Sequence, residues 1–240
     1  MKWNGGRVFW LVVVGLLAAY AIFQLGFARL VAISLSLLLA ITVHECAHAW
    51  VADKLGDPTA RYLGRVSLNP LVHLDPLGTM MMVMTAATGM GIGWGKPVPV
   101  SPHRLRFGRR LGNGIVALSG PMANLLLATV VGLIWRFVRP LPLWPTEIFA
   151  GVTMTNIVIA MFNLLPLPPL DGHSVLLALL SLSQARWAWQ ASQLMMRLAQ
   201  QGGPLILILV ILVAQFLGIN LIGSLIGPPT RFLYRAIVGQ

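Results

Sequence analysis

The sequence is short of charge, and above all of acidic side chains. Only 10% of its 240 residues are charged, against about 25% in an ordinary soluble domain. Such a composition cannot cover a water-facing surface, but it suits a surface that faces lipid. The acidic residues are Glu45, Asp53, Asp57, Asp75, Glu147 and Asp171. The formal net charge of +11 therefore reflects a shortage of acids as much as an excess of bases.

A basic balance can indicate a nucleic-acid partner, but the arrangement of the basic residues argues against one here. The lysines and arginines stand between long apolar runs. We therefore expect the lipid bilayer, through its anionic headgroups, to be their partner, and we expect no nucleic acid.

A second cysteine and a signal cleavage site are also missing. Because Cys46 is the single cysteine, an internal disulfide is excluded. The first apolar run follows Lys2 and Arg7 as a secretory signal would, yet 21 uncharged residues follow Arg7 without a clear small-residue cleavage site. We therefore expect a retained transmembrane helix at this end.

Long apolar runs make up most of the remaining sequence. A helix needs about 20 largely apolar residues to cross the hydrocarbon core. Four runs reach that length, and a fifth stretch could supply one span or a tight pair. They are Val8–Gly26, Leu30–Ala52, Leu111–Trp135, Thr146–Leu165 and Ala199–Thr230. Pro121 should bend or restart the third helix, and Ser174–Leu182 is too short to cross alone.

The region between the second and third spans is mixed in composition. In Lys96–Val100, Pro97 and Pro99 alternate with the other residues. This pattern predicts an extended segment or an edge strand. Met80–Gly91 is apolar but short, which favours a membrane-dipping loop. Further along, Gln184–Gln201 predicts an amphipathic helix that lies on the membrane surface. The sequence thus predicts an all-α polytopic membrane protein of five or six transmembrane helices, with a small extended element between the second and third.

Domain organisation and orientation follow from the same pattern. We find no internal repeat, so we expect a single membrane-embedded domain over residues 1–240, with a core at about 30–175 and C-terminal helices at about 184–230. The basic residues near Lys2 and those after the second span predict that both regions are cytoplasmic, as two intervening spans require. We expect a multi-pass protein of the cell membrane.

One turn of the second span carries His44, Glu45 and His48. Positions four apart lie on the same face of a helix, so both imidazoles can bind one metal ion. Zinc lowers the pKa of a bound water, and Glu45 is placed to accept that water's proton. Since ionisable groups are costly inside a membrane, we interpret this turn as a zinc site rather than as packing.

A catalytic zinc usually has three protein ligands, so a third must come from elsewhere in the chain. The best candidate is Asp171, which follows the proline cluster Pro166, Pro168 and Pro169. The prolines predict irregular backbone, which is tolerated at membrane depth only where protein buries it or where it lines a cavity. His173 is the alternative third ligand.

Two amides on apolar segments, Asn124 and Asn163, can donate hydrogen bonds to a substrate backbone or to an oxyanion. The alternative is a hydrogen bond between transmembrane helices. We predict a catalytic role for Asn163, which lies about one turn before the proline break. For Asn124 we predict substrate binding, with the interhelical bond as an equal alternative.

Taken together, these motifs resemble the site-2 proteases, and specifically the compact prokaryotic kind without an inserted PDZ domain. The matching segments run in family order and cover most of the chain from about Leu30 to Val175. They are His44–His48, Gly64–Pro70, Asp75–Thr79, Gly93–Val100, Ser119–Asn124 and Asn163–Gly172. The first segment is shared with soluble zinc proteases, but its combination with the last one inside apolar spans is far more specific.

The resemblance implies a zinc site formed by His44, His48 and Asp171, with Glu45 as the catalytic base. It also implies that Asn163 assists the substrate or the transition state. The active site of such a protein lies nearer the cytoplasmic side, which agrees with the orientation that the basic residues predict.

We therefore expect an intramembrane zinc endopeptidase whose substrates are transmembrane segments of other proteins. Through Lys96 and Val98, the extended segment could pair with a locally unwound substrate as an added strand. Two alternatives remain from other classes. A membrane metal transporter would have no need of Glu45, and a catalytically inactive relative would only bind membrane proteins.

Overall fold

The computed structural model describes most of the chain. The described residues are 15–16, 19, 27–81, 95–202, 205, 207, 209–210, 213, 216–218 and 220–239. The first predicted span, Val8–Gly26, lies almost entirely outside them. So do most of the predicted membrane-dipping loop Met80–Gly91 and part of the last apolar stretch, Ala199–Thr230.

The described residues are mainly helical, which confirms the all-α class. The helices are α1 (Phe27–Lys54), α2 (Thr59–Tyr62), α3 (Gly108–Val138), α4 (Leu143–Asn163), α5 (Asp171–Ser181), α6 (Arg186–Gln200) and α7 (Leu221–Val238). Two short 3-10 turns, Pro70–Val72 and Pro102–Arg104, lie between α2 and α3, and residues 76–81 are helical as well. Within these residues the predicted β element is limited to an isolated antiparallel bridge between Leu74 and Gly95.

Three of the described helices are long and apolar enough to cross a membrane. These are Val31–Lys54 within α1, Gly108–Val138 and Leu143–Asn163. Helices α1, α3 and α4 begin and end within three residues of the second, third and fourth predicted spans. The described part of the chain therefore accounts for three spans, and it does not establish the predicted total of five or six.

The proline inside α3 does not interrupt the helix. Pro121 is fully buried, and α3 runs through it from Gly108 to Val138, so the expected restart does not occur. Packed neighbouring helices allow this, because they and local adjustments can satisfy the backbone groups that a proline frees.

Helices α1, α3 and α4 pack against one another, and α5 packs along α3. The contact between α3 and α5 is very close, since a methyl group added at Gly114 would lie only 2.2 Å from the Cβ atom of Ala178. In a membrane, the burial of apolar surface does not drive helices together. Helices associate instead where small residues let their backbones approach closely. This approach brings the first residue of α5, Asp171, to the side of α3 that faces α1.

Outside this core, α6 packs on α5, and α7 packs on α3 and α4. Along α6, Ala188 and Ser192 are buried whereas Trp187 and Trp189 are exposed. The predicted amphipathic helix is therefore present, and its location on a membrane surface stays a prediction.

We predict that Gly114→Ala destabilises the protein by about 1–3 kcal/mol, because the added methyl group overpacks the contact between α3 and α5. The measurement is thermal unfolding in detergent. Gly227→Ala in α7 is the matched control, since a methyl group there would meet only the Arg231 side chain, at 3.7 Å. Equal melting temperatures for Gly114→Ala and wild type would contradict the close packing.

Candidate metal centre

Helix α1 presents two imidazoles on one face, as the spacing predicts. The ring centroids of His44 and His48 are 4.6 Å apart and the ring planes are nearly perpendicular, at 89°. Both side chains are buried, at 6% and 8% exposure. Two histidines in the interior of an apolar bundle require polar partners.

Among the described residues, Asp171 is the one partner that lies against both imidazoles. Its Oδ2 atom lies 3.1 Å from His44 Nε2 and 3.3 Å from His48 Nε2. The ligand atoms of the three residues all lie within 4.8 Å of one another. The structure thus brings together the three side chains that the sequence analysis singled out as metal ligands.

The position of Asp171 depends on a tight connection between α4 and α5. A methyl group added at Gly172 would lie 2.3 Å from the carbonyl oxygen of Leu164 and 2.4 Å from that of Leu165. Only glycine allows the start of α5 to lie against this proline-rich loop. The loop therefore fixes Asp171 through the residue that follows it.

The outer nitrogens of the two imidazoles are held by hydrogen-bond acceptors. His44 Nδ1 lies 2.6 Å from Asn124 Oδ1, and His48 Nδ1 lies 2.8 Å from the carbonyl oxygen of Val116. An imidazole that donates from Nδ1 carries its proton there, so each Nε2 presents a lone pair. Holding the outer nitrogen in this way is how proteins orient histidine ligands of metals.

The orientation of the Asn124 amide follows from its other contacts. Its Nδ2 atom donates to the carbonyl oxygen of Ala40 at 2.9 Å and to Asn156 Oδ1 at 2.7 Å. Asn156 Nδ2 in turn donates to the carbonyl oxygen of Val152. Because both amide hydrogens of Asn124 are used, its oxygen must face His44.

Three acceptor atoms therefore converge on one point. Asp171 Oδ2 is buried and lacks a hydrogen-bond partner, and a buried carboxylate beside two lone pairs is costly unless a positive charge joins them. Two imidazole nitrogens and one carboxylate oxygen form a donor set of catalytic zinc sites, which keep a further position open. The residues present fit a zinc ion.

Gly120 of α3 leaves the space beside the imidazoles free. A methyl group at this position would lie 2.4 Å from His48 Nε2 and 2.7 Å from His44 Cε1. Any side chain here would occupy the region that a cation among the three ligands needs. Neither Gly120 nor the Val116 carbonyl was singled out from the sequence, because a glycine and a backbone oxygen carry no signal of metal chemistry.

Glu45 lies beside the cluster, where the extended segment begins. A methyl group added at Gly95 would lie 3.4 Å from Glu45 Oε1 and 2.8 Å from Ile41 Cγ2. The next residue, Lys96, donates its backbone N–H to the carbonyl oxygen of His73 at 2.7 Å. The predicted substrate-binding segment Lys96–Val100 therefore starts next to the predicted catalytic base.

The other end of this segment is held by Asp57, which sequence analysis did not single out. The buried carboxylate of Asp57 accepts hydrogen bonds from the N–H and hydroxyl of Thr59 and from the N–H of Ser101. Burial alone would raise the pKa of Asp57, but these hydrogen bonds and the charge of Arg104 outweigh it and lower the pKa. Asp57 is therefore ionised at neutral pH and ties Ser101 to the end of α1.

Two further candidates from the sequence make their hydrogen bonds outside the cluster. His173 Nε2 lies 3.2 Å from the carbonyl oxygen of Met195 in α6, so His173 is not part of the cluster. Asn163 Nδ2 donates to the carbonyl oxygen of Ile159 within its own helix, at 3.0 Å. The catalytic role of Asn163 stays a prediction.

Asn124 makes hydrogen bonds between helices, which is the alternative to a substrate contact. It is fully buried and connects α3 with α1 and α4 through its bonds to His44, Ala40 and Asn156. A substrate contact would require Asn124 to give up one of these bonds. The geometry therefore supports an orienting role for Asn124 rather than the predicted substrate contact.

Comparison with known proteins agrees with this geometry. Over 150 residues the chain is 38% identical to "Putative zinc metalloprotease YwhC" of Bacillus subtilis, covering 59% of this chain and 66% of that protein. Over 144 residues it is 34% identical to "Putative zinc metalloprotease Rip2" of Mycolicibacterium smegmatis, covering 58% and 53%. No family model matches the chain, and no solved structure matches it significantly.

The apolar helices and the buried cluster define a membrane protein with a zinc site of the metalloprotease type. The similarity to the two proteins above, both named zinc metalloproteases, agrees with the resemblance of the sequence to the site-2 protease family. The chain spans just under two thirds of the length of the first relative and about half of the second.

We predict that Asn124→Ala weakens zinc binding by about 10- to 100-fold, the usual effect of removing a group that orients a histidine ligand. Zinc affinity of the purified protein is the measurement. Asn113→Ala is the matched control, because that amide also lies on α3 but donates to Ser174 rather than to an imidazole. Equal losses in both variants would show that the effect is a general one on packing.

Proposed function

We propose that the chain is an intramembrane zinc endopeptidase that hydrolyses peptide bonds in or beside transmembrane segments of other membrane proteins. The observation that carries this proposal is the convergence of His44, His48 and Asp171 beside Glu45, in a bundle whose helices α1, α3 and α4 are long and apolar enough to cross a membrane. The names of the relatives support the protease class.

The depth of the cluster supports cleavage within the bilayer. On α1, His48 and His44 precede the helix end at Lys54 by six and ten residues, or about 9 and 15 Å at 1.5 Å per residue. On α3, Gly120 follows the helix start at Gly108 by twelve residues, or about 18 Å. Since the hydrocarbon core is about 30 Å thick, these distances support a cluster inside the apolar layer and nearer one face.

Each group around the cluster has a separate chemical role. A bound zinc ion supplies Lewis-acid chemistry, which lowers the pKa of water towards neutrality and polarises a carbonyl. Glu45 accepts the proton of the attacking water and passes it to the leaving amine. Asn124 and the Val116 carbonyl keep the Nε2 atoms turned towards the cluster, and Asp171 contributes the negative charge.

The extended segment is suited to hold the substrate. Within the described residues, the backbone N–H of Lys96 donates to the carbonyl oxygen of His73, whereas Pro97 to Val100 make no backbone hydrogen bond. The N–H groups of Val98 and Val100 are therefore available to a substrate that adds as a strand. A helical substrate hides its carbonyls in its own hydrogen bonds, so it must unwind locally before it can pair here.

The orientation of the protein is part of the proposal. The end of the bundle nearest the cluster carries Lys54, Arg61 and the basic residues that precede α3. An excess of basic residues in such loops is typical of the cytoplasmic side. We therefore place the active site towards the cytoplasm, in a multi-pass protein of the cell membrane.

Replacement of the proposed base tests this function most simply. Glu45→Gln should lower cleavage of single-span reporter proteins by about 10²- to 10⁴-fold, the range that general acid–base catalysis contributes. Zinc content should stay at the wild-type level, because Glu45 is not one of the three clustered ligands. Cleavage in liposomes and bound zinc are measured on the same preparations.

Glu147→Gln in α4 is the matched control and should cleave like wild type. Cleavage by Glu45→Gln at the wild-type rate would refute the role of Glu45. Zinc uptake into liposomes by both proteins, without any cleavage, would favour the transporter instead.

A further inference from the structure

The segment that leads into the first turn of α3 concentrates positive charge that forms no ion pair in the described part of the chain. The sequence has no acidic residue between Asp75 and Glu147, and four arginines fall within seven residues of this stretch. We call them the arginine patch: Arg104, Arg106, Arg109 and Arg110. Its function is not explained by the metal centre or by the extended segment.

The arginine patch faces outwards. Arg104, Arg106 and Arg109 are exposed, whereas Leu105 between them is buried at 5% exposure and anchors the segment. In the described part of the chain, the one arginine that forms an ion pair is Arg61, with Asp53. Asp57 lies near Arg104, but its carboxylate oxygens already accept hydrogen bonds from Thr59 and Ser101.

The arginine patch lies at the level where the apolar helices end. The backbone N–H of Arg106 donates to the carbonyl oxygen of Leu55, just beyond α1, at 2.8 Å. Close by on α1, the Lys54 ammonium lies 5.9 Å from the ring centroid of Trp50, which is 53% exposed. Tryptophan and basic side chains in this combination are typical of the membrane–water interface.

The amphipathic helix α6 meets the arginine patch at the same level. Arg110 contacts the Met196 sulfur of α6 at 3.9 Å. Helix α6 exposes Trp187 and Trp189, which are suited to the same interface. The arginine patch thus lies next to two helices, α1 and α6, that expose tryptophans suited to the headgroup layer.

Phe107 stands in the middle of the arginine patch in an unusual conformation. Its backbone is left-handed, with φ 68° and ψ 9°, and its side chain is 67% exposed. This conformation is unfavourable for a residue with a side chain. It nevertheless directs an apolar ring outwards between arginines, at the point where a helix of membrane length begins.

From these observations we propose that the arginine patch binds anionic phospholipid headgroups. Guanidinium groups pair with phosphate through charge-assisted, bidentate hydrogen bonds. A cluster of basic residues beside a transmembrane helix is attracted to anionic lipid. Lipid fits better than an acidic protein segment, because the helices next to the arginine patch, α1 and α6, both expose tryptophans. The proposal does not depend on whether the protein is a protease.

The full-length protein in mixed liposomes allows a direct test. Association of spin-labelled phosphatidylglycerol and phosphatidylcholine with the protein is compared by electron paramagnetic resonance. Wild type should prefer phosphatidylglycerol, and the double variant Arg106→Gln/Arg109→Gln should reduce that preference by about tenfold, since each arginine near the surface contributes a few-fold. Added salt should weaken the wild-type preference.

The double variant Arg231→Gln/Arg235→Gln is the matched control, because it removes two exposed arginines from α7 instead. It should keep the wild-type preference. Equal association of both lipids with wild type would overturn the proposal, and so would an equal loss in both double variants. Unchanged lipid preference in Arg106→Gln/Arg109→Gln, together with lost binding of an acidic juxtamembrane peptide, would assign the arginine patch to a protein partner.

Discussion

Three lone pairs that meet in an apolar interior are the constraint on which the rest of the structure depends. His44 and His48 direct Nε2 atoms towards Asp171 Oδ2, and no hydrogen lies between them while both Nδ1 atoms donate outwards. A metal cation among the three atoms compensates all of them at once. We therefore expect metal binding and folding of this region to be coupled, as in other sites whose ligands are assembled by the fold.

The neighbouring elements serve this convergence in two ways. Small residues allow close approach: Gly114 brings α5 to α3, and Gly120 leaves space beside the imidazoles. Polar bonds then fix direction, through the amide chain from Asn156 to Asn124 to His44. The apolar helices hold these groups in a medium where each unpaired polar atom is costly, so position and hydrogen bonding are specified together.

The sequence predicted the parts of this arrangement that leave a local signature. The spacing of His44 and His48 predicts a shared helix face, and long apolar runs predict α1, α3 and α4. Asp171 could be found because prolines interrupt the chain just before it. The Val116 carbonyl, Gly120 and the anchoring role of Asp57 leave no such signature, because they act through tertiary contacts between distant segments. The predicted restart of α3 at Pro121 was wrong for the same reason, because packed neighbouring helices keep α3 continuous.

Zinc-edge X-ray absorption of the purified protein would test the three-ligand cluster most directly. We expect one zinc per chain, bound by two imidazole nitrogens at about 2.0–2.1 Å and a carboxylate oxygen at about 2.0–2.2 Å. Asp171→Asn should lose most of this zinc. Coordination by the Cys46 sulfur, a single imidazole in the spectrum, or full zinc occupancy in Asp171→Asn would contradict the assignment.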